Sequence, residues 1–282
     1  MIKGKKFLIV GLGLLGGSIA LGLKKWNHEV YAIDINPDSI DYAMKHSIIN
    51  NGSTTIDPNL IKQADVIISG LFPSLIVDWI KENQKYFKEN ALITDVTGVK
   101  GAIVEKIQNI LREDCEFIGA HPMAGKEVSG VQYADPNIFL PANLIITPTT
   151  KNTQEAIDFM IEFGKELRFN NICQLSVEEH DQMIGYLSQL THVIAVSLMN
   201  ANDSTELKKY TGDSFRDLTR IAKINENLWT ELFLLNKENL VNEIELFIQE
   251  MNDFKEALVN EDVDTMKNKF ITSTKRRKYF DK

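Results

Sequence analysis

Phe7-Leu-Ile-Val-Gly11-Leu-Gly13-Leu-Leu-Gly16-Gly-Ser18, with Asp34 sixteen residues further on, decides the fold. An apolar run feeds into Gly-x-Gly-x-x-Gly, and Leu14, Leu15, Ile19, Ala20 and Leu23 then recur at helical spacing. That order predicts strand, glycine turn and helix. Gly11 suits a tight turn, Gly13 lets bare backbone approach a pyrophosphate, and Gly16 lets the helix pack closely on the strand. The first helical turn then offers unpaired N–H groups and a partial positive charge to an anion. Glu29-Val-Tyr-Ala-Ile-Asp34 predicts a second strand ending in an acid, which is where ribose hydroxyls are held in such units. Asp34 favours NAD over NADP, because its charge opposes a 2′-phosphate and Ile35-Asn36-Pro37 brings no Arg.

Working outward, 282 residues suffice for a large core and for two domains. A hydrophobic content of 44% with 25% charged residues is that of a globular protein, and the net charge of −8 argues against a nucleic-acid partner. The basic run Lys275-Arg-Arg-Lys278 is expected to be a solvated tail. No signal peptide or membrane span is legible, since glycines interrupt the apolar run at residues 7–15. Cys115 and Cys173 are far apart in sequence and read as reduced thiols of a cytoplasmic protein, with no spacing for zinc or a disulfide framework.

After Asp34 the alternation continues. A helix from Asn36-Pro37, a buried strand at Ala64–Gly70, a helix from Ser74, strands at Ala91–Asp95 and Glu116–Ala120, and two more around a helix at Gln154–Arg168 predict a doubly wound sheet. Phe72 and Pro73 follow the Ala64–Gly70 strand at the edge where ligands bind, so they join Gly11, Gly13, Leu14, Leu15, Gly16 and Asp34 as expected cofactor contacts. From Val177 on only helical period is visible, which puts the domain boundary near 170, with a Rossmann-like α/β domain over 1–170 and an all-helical domain over 171–282. The helix from Val177 to about Ala201 is mostly apolar and is expected to be central and buried. Leu240, Ile244, Phe247, Met251, Phe254 and Leu258 form a seam of 3.5-residue period, which packs within one subunit or against a twin, and the twin is preferred.

Among the histidines, His28 and His46 sit at polar helix ends and are expected at the surface. His121 closes a strand of the dinucleotide sheet, where a nicotinamide ring would project. His192 lies in an apolar helix, as a satisfied core imidazole or as one with a task; Ser188 shares its face, and Gln189 is the other polar exception there. Arg216 and Arg220 are four apart, either as a carboxylate clamp or as surface partners of Asp213 or Asp217. No residue spacing suggests a metal site, so none is expected.

Gly11-Leu-Gly-Leu-Leu-Gly-Gly, Asp95 with Lys100-Gly101, His121-Pro-Met-Ala-Gly125 with Glu127, Leu190-Thr-His192 and Asp217-Leu-Thr-Arg220-Ile-Ala222 with Trp229 resemble prephenate dehydrogenases, in that family's order and over nearly the whole chain. The resemblance implies NAD-dependent oxidative decarboxylation of prephenate to 4-hydroxyphenylpyruvate in tyrosine synthesis, by a dimer joined through its helical domain. It implies His121 as the catalytic histidine, His192 as a second substrate histidine, Arg220 as the carboxylate-binding arginine, Glu127 as a supporting acid, and Ser188, Gln189 and Trp229 as substrate contacts. The chain departs from the family where Gly-Ser-x-Lys is usual: here stands Thr97-Gly98-Val99-Lys100, and Thr97 is the expected substitute hydroxyl. Lys126 replaces a small hydroxyl residue and Gln189 a frequent histidine, changes that bear on prephenate against arogenate. With four residues before the first strand and about twelve after the last helix, neither the regulatory nor the mutase domain that some members carry is expected. A β-hydroxyacid dehydrogenase shares the plan but needs a lysine on the central helix, and 177–201 has no Lys or Arg. A non-catalytic NAD sensor is the rival of another class, and it would tolerate loss of His121.

Overall fold

The structure is a computed structural model and describes Ile2 and residues 4–281. Eight strands form one sheet in the order β3-β2-β1-β4-β5-β6-β7-β8: β1 Lys6–Val10, β2 Glu29–Ile33, β3 Asn51–Ser53, β4 Val66–Ser69, β5 Leu92–Asp95, β6 Glu116–Pro122, β7 Asn143–Thr147 and β8 Asn171–Gln174. All neighbours pair parallel except β6 and β7, which are antiparallel. This is the doubly wound plan expected from the glycine turn, with an antiparallel extension and the short edge strand β3 that no apolar pattern announced.

Helices α1 Leu14–Lys25, α2 Pro37–Lys45, α3 Pro58–Gln63, α4 Pro73–Asn83, α5 Val104–Ile110 and α6 Gln154–Glu166 cover the sheet. Alternate residues of β1 serve two cores. Phe7 and Ile9 pack with Ile19 of α1 and with Met160 and Phe163 of α6, while Leu8 and Val10 pack with Ile76 and Ile80 of α4 and Ile107 of α5. Burial on both faces is why β1 reads as an unbroken apolar run, each such side chain contributing about 1.5–3 kcal/mol. Gly11 has φ +90° at the end of β1, and a Cβ there would lie 2.9 Å from Gly70 at the end of β4. The chain reverses its winding between these two strands, so the turn opens on the crevice at the switch point. His28, expected at the surface, is buried instead: its Nε2 lies 3.0 Å from Glu166 Oε2 and its ring stands edge-on to Phe7. A carboxylate on a neighbouring helix satisfies it, which no local pattern reveals. His46 is exposed, as expected.

The helical half continues with α7 Val177–Ile184, a π-helical turn Gly185–Leu190, α8 Thr191–Asn200, α9 Asp213–Thr219, α10 Glu226–Leu235, α11 Lys237–Val259 and α12 Val263–Arg277. The expected central buried helix is corrected on two counts. It is interrupted by the π turn, and only one stripe is buried: Met183, Tyr186, Leu187, Leu198 and Met199 are each more than a third exposed within one chain. Its apolar content therefore serves a second face as well as the core.

The chain divides into two compact units, one up to Asn236 and one from Lys237 on. In the second, Phe254 of α11 meets Phe270 of α12 at 5.8 Å between ring centres, and Met251 and Leu258 of the seam remain exposed. The basic run 275–278 is exposed, as expected of a solvated segment, but it is helical: Lys275, Arg276 and Arg277 form the last turn of α12, where cations complement the helix dipole. No helix among the described residues is long and apolar enough to cross a membrane.

Candidate active site

His121 stands at the C-terminal end of β6, on the sheet edge that also carries the glycine turn. His121 Nδ1 lies 2.9 Å from His180 Nε2, and His180 Nδ1 lies 2.7 Å from Asp181 Oδ1. Asp181 also accepts the backbone N–H groups of Lys100 at 2.8 Å and Gly101 at 2.7 Å, which fix the carboxylate on the turn after β5. A carboxylate only accepts hydrogen bonds, so neutral His180 keeps its proton on Nδ1 and accepts at Nε2. His121 then donates from Nδ1, and its Nε2 is left as a bare acceptor. Burial, aided by the neighbouring His180 and the Lys100 ammonium, holds His121 well below the ordinary histidine range. Burial also lowers His180, against the pull of Asp181. His180 was missed in the sequence because nothing fixes its distance from His121. The signal it does carry is a His-Asp pair one turn inside a helix whose start is marked by the Ser176/Glu179 capping box.

A second group faces the same loop. The His192 ring stacks on Trp229, with 3.6 Å between centres and 31° between planes, and Phe233 meets Trp229 edge-on. His192 Nδ1 lies 2.8 Å from the Ser188 carbonyl, so it donates there and leaves its Nε2 as an acceptor. Burial lowers its proton affinity, with Glu127 and Arg220 acting on it in opposite senses. Arg220 pairs with Glu127 of the His121-Pro-Met-Ala-Gly125 loop, whereas Arg216 pairs with Asp213 on its own helix at 2.8 Å. The two arginines that sequence could not separate thus have different tasks, and only Arg220 reaches across to the sheet.

Two expected contacts are corrected. The Thr97 hydroxyl is buried, bonded to Asp95 Oδ2 at 2.5 Å and to the Lys100 ammonium at 3.1 Å, and is not a substitute hydroxyl for His121. Gly98 is the residue beside the imidazole: a Cβ there would lie 3.9 Å from His121 Cε1 and 3.5 Å from Leu232. Gln189 is 1% exposed, donating to the Leu232 carbonyl at 3.0 Å and accepting from Asn236 at 2.8 Å, so it braces the helices rather than facing a ligand. Ser188 takes part through its carbonyl.

The glycine turn fits a dinucleotide. Gly13 has no side chain and a Cβ there would meet nothing within 4 Å, so bare backbone fronts open space at the uncapped start of α1. Leu14 and Leu15 form the half-buried first turn of that helix. A Cβ on Gly16 would collide with the Gly11 carbonyl oxygen. Asp34 accepts the N–H of Leu12 at 2.5 Å and of Asn36 at 2.8 Å, which places its carboxylate at the rim of the turn. Phe72 stands exposed before α4, and Pro73 is buried as its first residue. No cluster of three or more metal-ligating side chains occurs among the described residues.

Residues 19–171 match the family model for the prephenate dehydrogenase nucleotide-binding domain, and residues 176–272 match that for the prephenate dehydrogenase dimerization domain. The chain belongs to the prephenate dehydrogenase family. A prephenate dehydrogenase of Bacillus subtilis is 30% identical over 274 residues, spanning 94% of this chain and 73% of that relative. The crystal structure of prephenate dehydrogenase from Aquifex aeolicus in complex with hydroxyphenyl propionate and NAD+ superposes with a TM-score of 0.89 at 32% identity, covering 98% of both chains. Synechocystis arogenate dehydrogenase shares the fold, with a TM-score of 0.83 at 23% identity over 98% of this chain and all of that one.

Proposed function

We propose that this chain catalyses the NAD-dependent oxidative decarboxylation of prephenate to 4-hydroxyphenylpyruvate, the dehydrogenase step of tyrosine synthesis. The observation that carries the reading is the bare Nε2 of His121, set by His180 and Asp181, at the same sheet edge as the glycine turn. Bound NAD supplies the hydride acceptor. His121 accepts the hydrogen bond of the ring hydroxyl and stabilises the charge that develops as the carbon bearing it loses hydride. The C–C bond to the ring carboxylate breaks, carbon dioxide leaves with no net proton, and the ring becomes a phenol. Arg220, exchanging Glu127 for the substrate, holds a carboxylate in its fork, and the stacked His192 and Trp229 form a wall for the ring.

The work divides near residue 170, with the sheet half holding NAD and the helical half gripping substrate and pairing two subunits. Apolar side chains left exposed on both compact units, such as Tyr186, Leu187, Ile271 and Leu258, support a homodimer. Cys115 and Cys173 are both free thiols, which supports a cytoplasmic location. The test is NADH formation by purified protein with prephenate, repeated with arogenate and with NADP, while light scattering reads the oligomer. No NADH from either cyclohexadienyl substrate would refute the assignment, and turnover of arogenate alone would move it to that substrate.

A further inference from the structure

Lys100 is fully buried, and no step above uses it. The ladder between β5 and β6 runs from Leu92↔Glu116 to Thr94↔Ile118 and stops, while β6 continues to Pro122. On its other side β6 stays paired, Ala120 with Ile146 and His121 with Ile145. On the β5 side two side chains take over. Ala120 N donates to Asp95 Oδ1 at 3.2 Å, and Lys100 Nζ donates to the Ala120 carbonyl at 2.6 Å. The same ammonium donates to the Thr97 carbonyl at 3.0 Å and pairs with Asp95 Oδ2, so its three donors meet three principal acceptors. The main-chain N–H of Lys100 meanwhile holds Asp181 at 2.8 Å.

We propose that Lys100, with Asp95, is the positioning element of the catalytic imidazole: it continues the missing strand ladder and fixes both polar groups of the residue before His121. One residue thus holds both ends of the His121–His180–Asp181 relay, the histidine by its side chain and the aspartate by its backbone. Freed from the clamp, the last residues of β6 are held from one side only. An imidazole displaced by about 1 Å from its working position loses on the order of 100-fold in rate. The inference rests on His121 acting as proposed above.

The test compares Lys100→Met, the charge-free pair Asp95→Asn/Lys100→Met, His121→Asn, and the pair placed on His121→Asn, by steady-state kinetics with prephenate and by NAD titration. The pair variant is the decisive one, because Lys100→Met alone leaves the buried Asp95 carboxylate without its counter-charge and is expected to fold poorly. The expected result is a kcat about 10 to 100-fold lower in the pair variant, with KM and NAD affinity within about threefold, and a loss that vanishes once His121 is absent. An unchanged kcat, a loss confined to KM or NAD affinity, or an equal loss without His121 would overturn it. A pair variant that does not fold would also overturn it, by showing a role in building the core instead. Full activity of His121→Asn would sink the reading of His121 itself.

Discussion

Asp181→Asn probes the relay at the point where its polarity is set. Three donors converge on this carboxylate: the N–H groups of Lys100 and Gly101 at 2.8 and 2.7 Å, and His180 Nδ1 at 2.7 Å. An amide keeps one acceptor and adds a donor, so either orientation sets donor against donor. Facing Gly101, it loses one charge-assisted bond and orphans an N–H, costing about 1–3 kcal/mol. Facing His180, it loses the Lys100 bond and also forces His180 Nδ1 to accept. His180 then donates from Nε2, His121 must accept at Nδ1, and the proton moves to His121 Nε2, which no longer accepts from the ring hydroxyl. The Gly101-facing amide leaves both histidine tautomers as they are, whereas the other orphans an N–H and inverts two tautomers besides. The first is therefore favoured, and the expected outcome is destabilisation of about 2 kcal/mol with a kcat lowered no more than about tenfold. Urea unfolding and kcat at saturating NAD and prephenate measure the two separately. A variant as stable as the parent, or one whose kcat falls about 100-fold or more, refutes this account of how the carboxylate is held and how the polarity is kept.

Arg220→Gln keeps a polar side chain but removes the guanidinium fork that Glu127 occupies, and should raise the KM for prephenate about 10 to 100-fold while NAD titration is unchanged. Gly16→Ala drives a methyl into the Gly11 carbonyl, so NAD binding should be lost, as read by fluorescence titration, with little change in the unfolding of the helical half. With pH, His121 lies well below its usual 6.5, so kcat/KM should stay level through neutral pH and fall only in acid well below that value. The same imidazole, with His180 and His192, is lowered on folding, so between the folded value and 6.5 the unfolded chain binds more protons. Stability from these groups is therefore complete above about 6.5 and is lost as pH falls through the folded values, and thermal unfolding across that range should show it.

What the sequence disclosed was local. The strand, glycine turn and helix at residues 7–23, and His121 at a strand end, depend on neighbours within one unit, so their periods were visible. What it concealed was set by distant partners. Glu166 buries His28 from 138 residues away, and His180 reaches His121 from 59 away. Thr97 was the expected hydroxyl, and only the direction of the turn after β5 shows that it faces Asp95 and Lys100 while the neighbouring Gly98 faces the imidazole. The apolar helix at 177–201 misled because helical period alone does not tell a core stripe from a face left open within one chain.

The wider turn at Gly185–Leu190 acts as a phase shifter. Two residues twelve apart stand about 120° apart around an uninterrupted α-helix, at about 100° per residue. A π bulge absorbs roughly one extra residue and rotates everything after it back by about 100°. His180 and His192 are thereby brought to nearly the same bearing, one toward the imidazole of the sheet and the other toward the aromatic wall. Excising one residue from this stretch would tidy the helix and turn one of its two histidines away from the chemistry.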